Sequence, residues 1–466
     1  MSKYHAYPKY KKSEIDWLAE IPEHWDTSKL RYMFTFGKGL TITKDNLKDK
    51  GVPCVSYGEV HSKYGFEVNP SKHPLKCVDE EYLKTSPSGL LQKGDLVFAD
   101  TSEDIEGSGN FTQLTNDDLL FAGYHTIIAR PLDRQSARFY AYLIDSQELR
   151  TQVRHSVKGV KVFSVTQAIL RGVKTWLPPI DERNKIANFL DYETTKIDIL
   201  IEKQQQLIKL LKEKRQAVIS HAVTKGISYE GKSEAPMKDS GVEWLGDVPE
   251  HWDIKKAKYL FEFVTSGSRG WAEHYSDEGQ LFFRIANLTR DTIEPKMDSI
   301  QNVSPPIGAE GQRSKIKLND LLVSITADLG SVCVANGCVE GGYVSQHVSL
   351  CRPNSLVKSS RWLAYFVLSD SAKEQLLSSG YGGTKVQLSL EDIRELVTPF
   401  PPENEQTEIA DYIDSKLIKF ESLMTKADEQ VQLLKERRTA LISAAVTGKI
   451  DVRNWKKPVV SEEEVA

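Results

Sequence analysis

The 466-residue sequence contains no apolar run of 18 residues, so it offers no single helix long and apolar enough to cross a membrane. Its opening stretch, MSKYHAYPKYKK, lacks the apolar centre of a secretion signal. Cysteine is scarce: five residues, odd in number and without framework spacing, as expected of a chain kept in a reducing cytoplasm. An excess of one charge is missing too. With 61 basic and 65 acidic side chains the formal net charge is −4, and bulk electrostatics give no general pull toward nucleic acid. Any DNA contact must come from local surfaces or from partners. Disorder is excluded by 40% hydrophobic and 27% charged residues, and the length suits about three folded units.

Repetition, by contrast, is plentiful. Trp17 to Asp26 reads WLAEIPEHWD and Trp244 to Asp253 reads WLGDVPEHWD, identical at seven of ten positions at an offset of 227. Leu210 to Thr224 (LLKEKRQAVISHAVT) and Leu433 to Thr447 (LLKERRTALISAAVT) agree at eleven of fifteen, at an offset of 223. Between these anchors the halves diverge, leaving faint echoes. Gly94-Asp95-Leu96-Val97 answers Asn319-Asp320-Leu321-Leu322, and Gly159-Val160-Lys161-Val162 answers Gly383-Thr384-Lys385-Val386. His125 with Arg130-Pro131 answers His347 with Arg352-Pro353. A solenoid would need more and shorter repeats; two long units imply pseudo-twofold symmetry within one chain.

Each middle (about 27–177 and 254–399) carries short strand-like runs: Leu96-Val97-Phe98, Thr126-Ile127-Ile128-Ala129, Leu281-Phe282-Phe283 and Leu321 to Ile325. Gly, Pro and Asn punctuate them, which predicts a twisted mixed sheet with helices near 137–153 and 360–378. Each half then ends in a long helix. Pro178-Pro179 and Pro401-Pro402 stop the preceding strand, acids follow at Asp181-Glu182 and Glu403-Glu405, and Gly226 and Gly448 sit past the far ends. Stepping by four and three gives a coiled-coil seam through Ile186, Leu190, Glu193, Ile197, Leu200, Gln204, Leu207, Leu211, Lys214 and Val218. The second seam runs through Ile409, Ile413, Lys416, Phe420, Leu423, Ala427, Gln430, Leu434, Arg437 and Leu441. The alternative is an amphipathic helix lying on its own domain; two matched helices favour mutual packing. The expected architecture is α+β: two similar globular mixed-sheet domains separated by two long antiparallel coiled-coil helices, a pseudo-twofold internal repeat. At about 1.5 Å per residue each helix would span roughly 60 Å, close to two turns of duplex DNA.

The doubled I/V-P-E-H-W motif, the G/N-D-L motif and the P-P…E-Q…I-A run before a long helix together resemble the specificity subunits of type I restriction–modification enzymes. The last motif stands as Pro401-Pro402-Glu403-Asn404-Glu405-Gln406 through Ile409-Ala410, and as Pro178-Pro179-Ile180-Asp181-Glu182-Arg183 through Ile186-Ala187, where Arg183 replaces the glutamine. The resemblance covers about residues 13–450. It implies a first target-recognition domain at 1–180, a spacer helix at 181–226, a linker at 227–238, a second target-recognition domain at 239–402, a second spacer helix at 403–450 and an acidic tail at 451–466. It further implies that each domain reads one half of a bipartite, asymmetric DNA site. The helices would set the unread gap and dock two modification (methyltransferase) subunits, with translocase–nuclease restriction subunits completing the assembly. S-adenosylmethionine, ATP and Mg²⁺ would then belong to those partners, with no cofactor on this chain, no catalytic residue and a cytoplasmic location. The divergent middles agree independently, since identical reading surfaces would predict a palindromic target.

From Leu149 to Ile180 the chain has Arg150, Arg154, Lys158, Lys161, Arg171 and Lys174 and no acid, a stretch suited to phosphates unless it is simply a solvated face. In the second half Gly380-Tyr381-Gly382-Gly383-Thr384-Lys385, with Gln387 just beyond, lets backbone approach DNA closely. Candidate base readers sit at matched places: Tyr57 and Glu59 against Arg284 and Asn287, Ser102 against Thr326, and His125 against Gln346-His347. For any one of them a structural role competes with base contact. The chain alone is expected to bind DNA weakly, and strongly with its partners.

Catalytic signatures are missing. Ser304-Pro305-Pro306-Ile307 approaches the N6-adenine methyltransferase motif, but Ile307 supplies no ring to stack on a flipped base. Gly380 to Gly383 lacks the Lys-Ser/Thr of a phosphate loop. Cys333 and Cys338 have no second close pair to complete a zinc site and read as buried thiols. His24 and His251 read as packing corners between tryptophans. A scaffold bridging two clients without DNA, and an enzyme with an unfamiliar site, are the competing readings; the basic stretch disfavours the first and the missing motifs the second.

Overall fold

The computed structural model describes residues 4–159, 161–227, 235–305, 308–379 and 387–458. They form two compact units, Met1–Gln204 with Glu429–Ala466, and Gln205–Asp428. The cut therefore falls inside both long helices, Ile180–Lys225 and Glu403–Val446. Each unit holds one mixed-sheet domain, the beginning of the helix that follows it and the end of the other helix.

In the first unit a five-stranded sheet has the order Phe34–Lys38, Thr126–Pro131, Leu96–Ala99, Phe111–Leu114, Phe66–Val68, antiparallel except for the last pair. The second unit repeats the first four strands as Phe261–Ser266, Val348–Pro353, Leu321–Ser324, Val332–Val334. A smaller sheet in each unit contains a parallel pair, Phe121–Ala122 with Val52–Val55, and Tyr343–Val344 with Gln280–Phe283. All four strand-like runs seen in the sequence are strands. Two predicted helices are each divided in two. Ala137–Asp145 gives way to Gln147–Ser156, and Ser360–Leu368 to Asp370–Ser379. The reason is a serine at each break: Ser146 Oγ accepts from Leu149 N–H and Ser369 Oγ from Ala372 N–H, starting a new helix in a new direction.

The duplicated motifs build one corner twice. His24 Nε2 and Trp25 Nε1 both donate to the Glu182 carboxylate, at 2.8 and 3.1 Å. His251 and Trp252 donate likewise to Glu405, at 2.8 and 2.9 Å. The glutamate sits in the first turn of the long helix, where negative charge also meets the helix dipole. Arg183 fills the place of Gln406 by other means. Gln406 bonds Lys358 N–H, Leu356 O and Pro401 O, while Arg183 reaches Pro178 O, Asp133 and the Tyr140 hydroxyl.

The far end of the opposite helix completes each corner. Gly448, at φ +77°, lies against Pro22 and Trp25, and Gly226, at φ +80°, lies near Trp252. Ile442, Ala445 and Val446 share a core with Trp25, Trp176, Phe189 and Ile186; Ile219, Ala222 and Val223 share one with Trp252, Ile409 and Ile413. Removing a wholly buried tryptophan such as Trp176 would cost about 3–5 kcal/mol. Within the first unit the two helical segments run antiparallel: Lys185 reaches Arg453 O and Asp198 reaches Arg438.

The seam is coiled-coil spaced and keeps most of its predicted positions, with a few displaced by one residue. Ile186, Leu190, Ile197, Ile409, Ile413, Phe420 and Ala427 are buried as expected, and Leu211, Val218, Leu434 and Leu441 are half-buried. Leu200, Leu207 and Leu423 are 44–50% exposed and leave the seam. Ile201 and Ile208 are half-buried in the first helix where Leu200 and Leu207 are exposed, and Met424 and Val431 are buried in the second. Steps of four-then-three and three-then-four share every other position, so leucines on both faces of the alternative leave the sequence ambiguous.

Candidate nucleic-acid interface

Two echoes that looked separate in the sequence meet at the back of each sheet. Asp95 carries ion pairs to Arg130 and Arg134, and Asp320 carries a two-bonded pair to Arg352 at 2.8 Å on each oxygen. Burial holds the Asp95 carboxyl above the usual aspartate range despite its arginines. Arg138 joins Asp191 and Glu67, and Arg361 joins Asp414 and Glu294, with Tyr142 and Tyr365 on the same helix carboxylates. Gln152 clamps the backbone of Lys174 on both sides, as Gln375 clamps Val397. Arg138, Tyr142, Gln152 and Asp191 recur at the helix offset of 223, and Asp95, Arg130 and Glu67 within a few residues of it, the signal that could have found them. They hold the frame on which the reading face stands.

In the first unit the turn that leads from Phe121–Ala122 to Thr126–Pro131 holds His125 in the left-handed region at φ +53°. Its Nδ1 lies 3.2 Å from Asp100 Oδ1, with the imidazole 60% exposed. Asp100 is fixed by its backbone: its N–H donates to His125 O, and its O accepts from Val165 N–H. These residues line a cleft of about 640 Å³ with Lys38, Tyr124, Thr166 and Gln167. Its floor depends on glycine, because a Cβ on Gly39 would strike the Gly123 carbonyl and the Thr126 hydroxyl. Tyr57, half-buried on the helix Tyr57–Ser62, holds its ring 6.3 Å from those of His61 and His125. Glu59 caps that helix through Ser56 N–H and does not face outward as a reader.

Several expected readers have structural work instead. Ser102 is buried, bonded to His61 Nε2 and to Asp104 O. Asn287 is fully buried, receives the Arg284 N–H and donates to Lys296 O and Ser299 O; every polar atom is committed to shaping its loop. Thr326 is buried beside Gln387 in an isolated bridge, and Gln387 itself is half-buried. Arg284 is half-buried and donates to Ser299 Oγ. Gln346 Nε2 lies 2.9 Å from Nε2 of the exposed His347.

The basic stretch also divides. Arg150 is tied to Asp145 and Asn110, both at 2.9 Å or less, and Arg154 donates to Glu106 O, its burial lowering the guanidinium below the usual arginine value. Neither is a free phosphate contact: each secures the loop 104–110. Lys158 and Lys161 remain exposed, on the turn that carries Phe163–Ser164 against Thr101–Ser102 beside the cleft. Lys385 and the glycine loop before it lie outside the described residues.

Cys54, Cys77, Cys333 and Cys351 are buried, with burial pushing the Cys54 and Cys351 thiols up to about 12; Cys338 is exposed, contrary to expectation. Among the described residues no cluster of metal-ligating side chains forms, and no helix is long and apolar enough to cross a membrane.

The fold and the sequence match known proteins. A family model described as the type I restriction modification DNA specificity domain fits residues 22–210 and again 249–433, so the chain belongs to that family and carries the domain twice. It is 21% identical over 458 residues to the EcoKI type I restriction enzyme specificity subunit of Escherichia coli K12, covering 94% of this chain and 91% of that one. It is 22% identical over 452 residues to the putative MjaX specificity subunit of Methanocaldococcus jannaschii, covering 95% and 97%. A solved chain from work on complex assembly and conformational transition of the type I R-M system shares the fold, with TM-score 0.67 at 18% identity over 92% of this chain and 99% of that one. The chain is thus a specificity subunit: it recognises DNA sequence and is not itself an enzyme. A scaffold without DNA is not favoured.

Proposed function

We propose that each unit reads one half of an asymmetric, bipartite DNA site, and that the two long helices set the number of unread base pairs between the halves. The observation that carries this reading is the contrast between frame and face. Glu182 and Glu405, Asp191 and Asp414, and Gln152 and Gln375 do the same work in both units. At the reading face the equivalent positions differ in kind: Asp100 is answered by Ile325, whose N–H and O make the matching bonds to His347 O and Leu388 N–H.

The same reading gives the subunit two methyltransferase partners. Leu200 and Leu210 on one helix, and Leu423 and Leu433 on the other, stand exposed at the repeat offset, a pair of like apolar faces for a pair of like partners. Restriction subunits would join that complex, S-adenosylmethionine, ATP and Mg²⁺ would be held by the partners, and the work would take place in the cytoplasm, where the DNA is. Phosphate contacts fall to Lys158 and Lys161 in the first unit. Base contacts fall to His125 and Tyr57 there, and to the exposed His347, oriented by Gln346, in the second unit. Mapping N6-methyladenine in cells with and without this gene, with the methyltransferase subunit present in both, tests the reading. A gapped two-part motif that vanishes with the gene is expected, and an unchanged methylome would refute it.

A further inference from the structure

We propose that His125 is a specificity-determining residue of the first recognition domain and that Asp100 is the positioning residue that aims it. This deepens the reading above and rests on it. Four observations converge on the pair.

First, His125 is a non-glycine residue held at φ +53° in the turn between Phe121–Ala122 and Thr126–Pro131, with its ring 60% exposed. A strained backbone that leaves its own side chain in solvent points to a side chain placed for use. Second, the ring is oriented rather than loose. Asp100 Oδ1 accepts from Nδ1–H at 3.2 Å, and the Asp100 backbone N–H in turn grips His125 O at 3.1 Å. Both ends of the residue are therefore fixed by one partner. Among the described residues the imidazole has no other hydrogen bond, so Nε2 is left to meet a base edge. Third, the ring stands at the rim of the 640 Å³ cleft, beside Gln167, whose Nε2 donates to Gly37 O and leaves Oε1 open, and near the exposed Lys38. Lys158 and Lys161 lie on the turn joined to the next strand residues, Thr101 and Ser102, so phosphate and base chemistry share one face.

Fourth, the duplication supplies an internal comparison. His347 occupies the matching turn, receiving the Ile325 N–H as His125 receives that of Asp100, yet Ile325 has no group to orient a ring. Gln346 takes that part at 2.9 Å, on Nε2 rather than Nδ1. The ring is kept and its reading atom exchanged. That is what two domains built on one frame require if they read different bases.

The test is a methylome of cells carrying the full chain with its methyltransferase subunit. His125→Asn and His125→Gly both tolerate the left-handed backbone, and Asp100→Asn keeps the shape while removing the carboxylate. Each variant should relax preference at one base pair of one half-site by about tenfold, leaving the other half-site and the gap unchanged. Asp100→Glu, which restores a carboxylate, should recover part of the preference. A motif that stays intact at all positions overturns the proposal, as does a uniform fall in methylation without relaxation, the mark of a structural or phosphate role. Absence of any gapped motif with the unaltered chain would instead remove the reading on which it rests, and the proposal with it.

Discussion

The indole N–H of Trp252 donates to the carboxylate of Glu405 at 2.9 Å, so a tryptophan at the start of the second recognition domain is bonded to the first turn of the helix that leaves it. The pair has a buried twin in Trp25 and Glu182, where the Tyr7 hydroxyl donates to the same carboxylate.

Removing the acceptor leaves a buried donor unsatisfied, at about 1–3 kcal/mol. Glu182→Ala should fall at the upper end, because its side chain is 6% exposed and two other donors lose their partner with it. Glu405→Ala should fall at the lower end, because at 27% exposure water can replace the oxygen. Urea unfolding followed by tryptophan fluorescence distinguishes the two; equal costs would contradict the geometry.

Adjacent residues of the second helix should behave in opposite ways. Met424→Glu puts a charge where the side chain is 6% exposed and should destabilise by about 2–4 kcal/mol. Leu423→Glu, at a position 50% exposed, should change stability by less than about 0.5 kcal/mol while weakening capture of the methyltransferase subunit. Melting curves and co-purification of the two variants read the two effects separately.

Lys158→Ala combined with Lys161→Ala should weaken DNA binding evenly across sequences and lower the salt slope of the full complex by about two. Arg150→Ala should act instead on stability, because it removes the link between Asp145 and Asn110. Binding titrations between low and moderate salt decide the matter, and an unchanged slope for the lysine pair would place the phosphates elsewhere.

Acid should loosen one specific contact. Lys256 and then Lys258 hold the Glu395 carboxyl at about 2, below the ordinary value of 4.5. Its contribution is therefore complete above pH 4.5 and drains away as pH falls toward 2. Melting temperatures across that range should fall less steeply for Glu395→Gln than for the unaltered chain.

The sequence made the frame legible because duplication exposes whatever both copies must keep. The P-E-H-W motif, the proline pair and the terminal glycines all mark real corners, and the strand runs around Leu96 and Leu321 are strands. The helix phase was not legible: Leu200 and Ile201, or Leu423 and Met424, are equally apolar neighbours, and only the packed structure chooses between them. Nor was the fate of polar candidates. Asn287 and Arg150 have the chemistry of DNA contacts, but burial and local partners decide their use, and those partners lie up to 40 positions away in the chain. His125 lay within reach of sequence reasoning; Asp100 did not, since nothing in its spacing announces a partner 25 residues on.

The first recognition domain is closed by residues 442–452, which are made long after the rest of its core. At roughly 5–20 residues per second, translation takes on the order of ten seconds to a minute to travel from Gly226 to Val452, and for that interval Trp25 and Trp176 lack their covering. The nascent chain therefore presents an open apolar surface early and seals it only once residues 442–452 have followed. Deleting the final turns of the second helix should harm the domain made first, and a ribosome stalled late should yield a product fit for degradation and not for assembly.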